Sequence, residues 1–253
     1  MLCKICNQPS QHVFKATVLK KHEINVFKCN SCEFVQTEDP FWLKEAYQSA
    51  IGKTDTGILV RNQKMAATTT LLLRSYFRSN ERFLDYAGGF GLLTRTLRDY
   101  GLDFYWLDPY SPNILSRGFE HKENTQYEAA TCFEGFEHFI KPLEDTEKIF
   151  SFTENILFST NLIPQKTPKP NEWWYYAFHG GQHVSFYTPK SLATIAKKFN
   201  KNFYTNNRNI HLFTRKKLNK TLFTILTYLP YLIPNPTLTL GLKSKTISDS
   251  KIV

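Results

Sequence analysis

The 253-residue sequence lacks any long apolar run. The longest stretch, Leu222 to Ile233, spans twelve residues and contains Pro230, whereas a membrane-spanning helix needs about 20. The N-terminus, MLCKICN, has no apolar h-region, so no secretory signal is expected and a cytoplasmic location is. Internal repeats and low-complexity tracts are absent, which excludes solenoids and collagen-like chains. Acidic residues are few: 22 against 32 lysines and arginines, a net charge of +10. That balance favours anionic partners such as nucleic acid, nucleotide-linked substrates or a membrane surface. The apolar share of 42% and charged share of 21% are those of a chain with a packed core.

Cysteine is scarce, yet four of the five fall into two C-x2-C knuckles. Cys3 and Cys6 form the first, Cys29 and Cys32 the second, 22 residues apart. Each knuckle brings two thiolates to one ion, and its turn supplies amide donors to the sulfurs. A closed four-sulfur shell suits structural zinc, and a rubredoxin-type iron centre would use the same ligands. The stretch HVFKATVLKKHEINVFKC between the knuckles reads as a short hairpin. Cys132 sits apart in an apolar run and reads as a core residue.

RNQKMAATTTLLLRSYF carries a helical pattern. RFLDYA then reads as a buried strand ending in Asp85, GGFG as a tight turn, and LLTRTLRDY as a helix closed by Gly101. DFYWLDPY is a second strand ending at Asp108, with Pro109 stopping it. A strand, glycine loop, helix, strand and acid in that order open a doubly wound α/β nucleotide fold. The glycines allow close backbone approach to a ligand, and an acid placed like Asp108 can accept from two ribose hydroxyls.

Asp85 and the following residues read D-x-A-x-G-x-G, which resembles the D-x-G-x-G-x-G first motif of class I S-adenosylmethionine-dependent methyltransferases. Ala87 stands where that family has its first glycine, so the turn is made with a Cβ present. YEAATCFEGFEHF and KIFSFTENILFSTNLIP are similar to the family's later strands and intervening helix, extending the resemblance over about residues 80–200. It implies a Rossmann-like core that binds S-adenosylmethionine through Asp85, Gly88, Gly89, Gly91, Asp108 and Glu134.

A further element, GQHVSFYTPKSL, resembles the zinc-containing sugar C-methyltransferases, as does the four-cysteine unit. There a histidine matching His183 is the proposed base, and Gln182 replaces the family's acid. The resemblance implies catalytic roles for His183 and His138, and a nucleotide-sugar, glycan or other small-molecule acceptor. Tyr47, Trp174, Tyr175, His179 and Gln182 are the expected acceptor-side residues, and Asp55, Thr56, Arg61 and Asn62 form a polar cluster before the core. The family's further C-terminal domain has no counterpart in these residues.

The expected organisation is a zinc unit at 1–38, a helical cap at 39–79, a methyltransferase core at 80–215 with a lid at 165–190, and a tail at 216–253. The tail reads as a helix pair or a membrane-surface contact. Two alternatives stay open: an RNA methyltransferase, which the basic charge suits, and a non-catalytic binding protein on the same fold.

Overall fold

The computed structural model describes residues 1–47, 56–232 and 235–251. Strands β1 (Ser10–Val18) and β2 (His22–Cys29) form the expected antiparallel hairpin, and β3 (Val35–Thr37) follows. A short helix α1 (Leu43–Ala46) precedes the long α2 (Ile58–Tyr76). Then come β4 (Arg82–Tyr86), α3 (Leu92–Asp99), β5 (Asp103–Leu107) and β6 (Ala129–Cys132). The chain continues through α4 (Pro142–Phe150), β7 (Ile156–Ser159), β8 (Ser185–Phe186), α5 (Pro189–Lys198), β9 (Asn202–Thr205) and β10 (Ile210–Thr214). Helices α6 (Lys220–Tyr228), α7 (Asn235–Leu238) and α8 (Thr246–Asp249) make up the tail. No helix among the described residues is long and apolar enough to cross a membrane.

Two sheets result: a four-stranded one ordered β1-β2-β3-β8 and a six-stranded one ordered β5-β4-β6-β7-β10-β9. This is the expected mixed α/β architecture with a small N-terminal β unit. By its contacts the chain divides into two compact units. The first comprises Met1–Gly52, Glu134–Lys148 and Phe158–Arg215; the second comprises Lys53–Phe133, Ile149–Leu157 and Lys216–Val253.

In the first unit, alternation along β2 buries Ile24 and Val26, and Cys29 is buried at the strand's end. The small sheet gains its fourth strand from far along the sequence, where Ser185 and Phe186 pair with Gln36 and Val35. One core gathers Val18, Ile24, Val26, Trp42, Tyr176, Phe178 and Phe186. A second packs Phe136 face to face on Phe158 at 3.9 Å. Helix α5 starts with a capping box: Thr188 Oγ1 accepts from the Ser191 amide at 3.1 Å, and Ser191 Oγ accepts from the Thr188 amide at 2.9 Å. Pro189 occupies the first turn, where its missing N–H costs nothing.

In the second unit, β4 runs parallel to both β5 and β6, with Asp85 in register with Trp106 and Thr131. The chain passes from β4 to β5 on one side and only then to β6 on the other. Strand β4 therefore lies at the topological switch point, and ligands of open α/β sheets bind at its carboxyl end. Helix α2 is buried from Met65 to Thr70 and again at Leu72 and Leu73. Helix α3 ends in a Schellman pattern, with Gly101 (φ +100°) donating to the Arg98 carbonyl and Leu102 to the Leu97 carbonyl. Leu97 and Leu102, both wholly buried, supply the apolar contact that accompanies this motif.

Candidate functional site

The loop after β4 is built for close approach. Ala87 adopts a left-handed conformation (φ +57°), as does Gly91 (φ +85°) at the cap of α3. A Cβ on Gly88 would lie 2.7 Å from Trp106 Cδ1 and 2.9 Å from Asp85 Oδ2. One on Gly91 would collide with the Ser116 hydroxyl and Asn113. Gly89 instead borders open space, with nothing within 4 Å of such an atom.

Asp108 is tied to this loop. Its Oδ2 accepts from the Gly89 amide at 2.9 Å, while Oδ1 accepts from the Tyr110 and Ser111 amides at 2.7 and 2.9 Å. Oδ2 keeps acceptor capacity beyond its single bond. Trp106 fixes the following peptide, its Nε1 donating to the Gly89 carbonyl at 2.8 Å.

Asp85 faces inward and is 2% exposed. Its oxygens accept from Thr94 at 2.9 Å and Thr131 at 2.8 Å, so it ties β4 to α3 and β6. Burial pushes its carboxyl up to about 6, against the two threonine hydrogen bonds. Trp106, Thr94, Thr131, Asn113 and Ser116 were not expected from sequence. Only the loop's closing shows their roles, because none belongs to a short motif. Of the polar cluster before the core, Asn62 donates to Thr96 Oγ1 at 2.9 Å. Thr56 is exposed, and Asp55 lies outside the described residues.

In the first unit, the two knuckles converge. Cys3 Sγ lies 3.5 Å from Cys32 Sγ, and Cys6 Sγ 3.4 Å from Cys29 Sγ. All four sulfurs fall within 4.8 Å of one another. A tetrahedral zinc with bonds of about 2.3 Å separates its sulfurs by about 3.8 Å, so small adjustments admit the ion. The Ile5 amide donates to Cys3 Sγ at 3.4 Å, and those of Ser31 and Cys32 to Cys29 Sγ at 3.3 and 3.4 Å. These are the amide donors that a thiolate shell requires.

The same unit gathers the expected histidines. His138 Nδ1 donates to the Gln182 carbonyl at 3.1 Å and lies 3.0 Å from the Tyr47 hydroxyl. His183 Nδ1 donates to the Tyr175 carbonyl at 2.7 Å. The rings meet edge to face with centroids 5.0 Å apart. Burial, with His183 beside it, pulls His138 down to about 3, and burial pulls His183 down to about 4. Both are neutral imidazoles near pH 7, and with Nδ1 bonded to a carbonyl each has its lone pair on Nε2.

Glu137 is wholly buried between its neighbours in sequence, and neither carboxyl oxygen has a hydrogen-bond partner among the described residues. The Tyr175 and Thr160 hydroxyls favour its charged form, though neither is a hydrogen-bond partner of its oxygens. Burial, with Glu134 close by, pushes the carboxyl up to about 8. Glu134 itself is fixed by reciprocal bonds with Ser159, its amide donating to Oγ at 2.8 Å and its Oε1 accepting from Oγ at 2.7 Å.

The remaining expected residues separate. Gln182 donates to the Ala46 carbonyl at 2.9 Å. Tyr175 is buried with its hydroxyl 3.4 Å from Thr160 Oγ1. Trp174 is 76% exposed, and His179 also faces solvent.

Several solved structures share parts of this architecture. TnmH aligns with a TM-score of 0.48 and 13% identity over 70% of this chain and 62% of its own. An O-methyltransferase family 2 protein from Planctomyces limnophilus, in complex with apigenin, gives 0.43 and 11% over 69% and 65%. An O-methyltransferase family protein from Burkholderia thailandensis gives 0.45 and 12% over 70% and 68%. The chain thus spans less than two thirds of the length of the first two. No curated protein matches in sequence. Family membership rests instead on a sequence match to the model described as a methyltransferase domain, over residues 60–206, more than half of the chain. The chain belongs to that family and carries a methyltransferase domain.

Proposed function

We propose that the protein transfers a methyl group from S-adenosylmethionine to a small polar acceptor, a nucleotide-linked sugar or a related glycan. The observation that carries the reading is the bond between Asp108 and the Gly89 amide at the carboxyl end of β4. It sets an acidic acceptor beside an open glycine backbone at the switch point, which suits a ribose and its attached sulfonium. The residues present fit the cofactor: Gly88 and Gly91 stand where a Cβ would collide, and Gly89 opens outward.

When bound, the cofactor supplies an electrophilic methyl on a sulfonium. The chain binds and orients it through the glycine loop and Asp108. His183 acts as base: Nε2 takes the proton of the acceptor's nucleophile as the new bond to carbon forms. The bound cofactor would supply that methyl carbon and take up the carbon–sulfur electron pair as a neutral thioether. The Tyr175 carbonyl, bonded to Nδ1, holds the tautomer that exposes Nε2. Alignment of the reactants contributes several kcal/mol in well-oriented cases. Tyr47, with its hydroxyl 3.0 Å from His138 Nδ1, belongs to the acceptor side, and the four cysteines hold a structural zinc ion. The sugar-like acceptor is supported by the likeness of GQHVSFYTPKSL and the cysteine unit to the sugar C-methyltransferases.

The test is His183→Ala, assayed with nucleotide-sugars and glycans as acceptors. Turnover is expected to vanish while affinity for S-adenosylmethionine is kept. Retained turnover removes His183 from the mechanism.

A further inference from the structure

Glu137, His138 and His183 each offer one ligand atom, and the three atoms lie within 4.8 Å of one another. The group belongs wholly to the first unit and is separate from the four cysteines. Two features distinguish it from an ordinary polar cluster.

The first is Glu137. A carboxyl group buried with no hydrogen bond costs free energy that a protein rarely leaves uncompensated. Here both oxygens lack a partner among the described residues, and the side chain is fully buried beside the two imidazoles. A divalent cation would compensate that burial and hold the carboxylate in its charged form.

The second is the orientation of the histidines. Metal-ligating imidazoles commonly donate their other N–H to a carbonyl or carboxylate, which fixes the ring and puts the lone pair on the ligating nitrogen. His138 and His183 both do this, through the Gln182 and Tyr175 carbonyls. Two neutral imidazoles with one carboxylate form a donor set used by open zinc and iron(II) sites, which keep positions for a substrate oxygen.

We propose that Glu137, His138 and His183 bind a divalent first-row transition metal ion, a second metal site besides the four-cysteine one. This deepens the proposed function, because it rests on the same cluster handling the acceptor. In the metal-free protein His183 receives a proton. In the loaded protein its Nε2 is committed to the ion, which then faces the acceptor oxygen as a Lewis acid.

The experiment titrates the full-length, metal-stripped protein with cobalt(II). Thiolate-bound cobalt gives sulfur-to-metal charge-transfer bands that cobalt bound by nitrogen and oxygen lacks. Two equivalents are expected to bind, only one with charge-transfer intensity. Glu137→Gln, nearly isosteric with the neutral carboxyl, should weaken the second equivalent at least tenfold and spare the first. Cys6→Ser should do the reverse. A single thiolate-bound equivalent in the wild type overturns the proposal, as does a second equivalent that is indifferent to both Glu137→Gln and His183→Ala. Binding of S-adenosylmethionine, titrated in parallel, reports on the proposed function separately. Cofactor binding without the second metal leaves His183 as a base, and the second metal without cofactor binding removes the methyltransferase activity but not the site.

Discussion

Arg98 and Asp249 stand 151 positions apart and form a two-pronged ion pair, Nε to Oδ2 at 2.7 Å and Nη2 to Oδ1 at 2.8 Å. The side chains are 4% and 5% exposed. The guanidinium lies 3.6 Å from the centroid of the Phe119 ring and also donates to Asp103 and to the Phe104 carbonyl. The last helix, α8, is thereby fastened to α3 and β5, the elements that flank the glycine loop and Asp108.

Breaking a buried pair leaves its partner's charge uncompensated, at a cost of about 3–5 kcal/mol. Asp249→Ala is expected to lower unfolding stability toward that range, since Asp103 alone remains near Arg98. Denaturant titration of wild type and variant checks it, and equal midpoints would show that the tail contributes nothing to the second unit.

Ala87 pays for the missing family glycine with a left-handed backbone (φ +57°). That conformation costs an L-residue about 1–2 kcal/mol, partly offset by the greater chain entropy of an unfolded glycine. Ala87→Gly should therefore raise the melting temperature by a few degrees, and Ala87→Val should lower it. A glycine variant that melts below wild type would mean the loop is not strained there.

His211 is fully buried, with Nε2 donating to the Thr160 carbonyl and Nδ1 accepting from Thr205 Oγ1, each at 2.9 Å. Burial pulls it down from 6.5 to about 4. The folded state thus binds the proton more weakly than the unfolded one. Its contribution to stability is complete above pH 6.5 and is lost as pH falls toward 4. Between pH 7 and 5 the loss amounts to about 2 kcal/mol, at about 1.4 kcal/mol per pKa unit. Urea unfolding at the two pH values should show His211→Gln to be less pH-sensitive than wild type by that amount. Identical slopes would place the imidazole's titration elsewhere.

The cysteine shell makes a metal-removal prediction. Ser10 to Val18 and His22 to Cys29 pair along their whole length, and the knuckles cap both ends of the path into and out of them. Cys6→Ser, or strong chelation, should release one zinc per chain and expose the first 38 residues to protease while residues 60–133 of the second unit stay resistant. Unchanged protease resistance would show that the hairpin folds without the ion.

What the sequence disclosed followed from local chemistry. The knuckles, the β1–β2 hairpin and the strand–loop–helix–strand opening each depend on residues close in sequence, and each lies where the pattern puts it. What it concealed depends on distant pairing. Strand β8 is two residues long, too short to show a period, and joins the N-terminal sheet only through Val35 and Gln36. Within the segment 165–190, read as a lid, Tyr176 and Phe178 join the core beside Phe186 and Trp173 packs against it, contacts that composition does not show. Asp249 carries no motif, and its task appears only once Arg98 is buried against it. At the candidate site, the glycines and Asp108 were legible from spacing. The orphaned state of Glu137 was not, because it is a property of what surrounds the carboxyl rather than of the E-H pair itself.

The most direct test of the central claim is calorimetric titration of the metal-replete protein with S-adenosylmethionine, beside Asp108→Ala. Micromolar binding by wild type, weakened at least tenfold in the variant, is the expected result. Absence of binding by wild type, or equal affinity in both proteins, would contradict the assignment of the Gly89–Asp108 loop as the cofactor site.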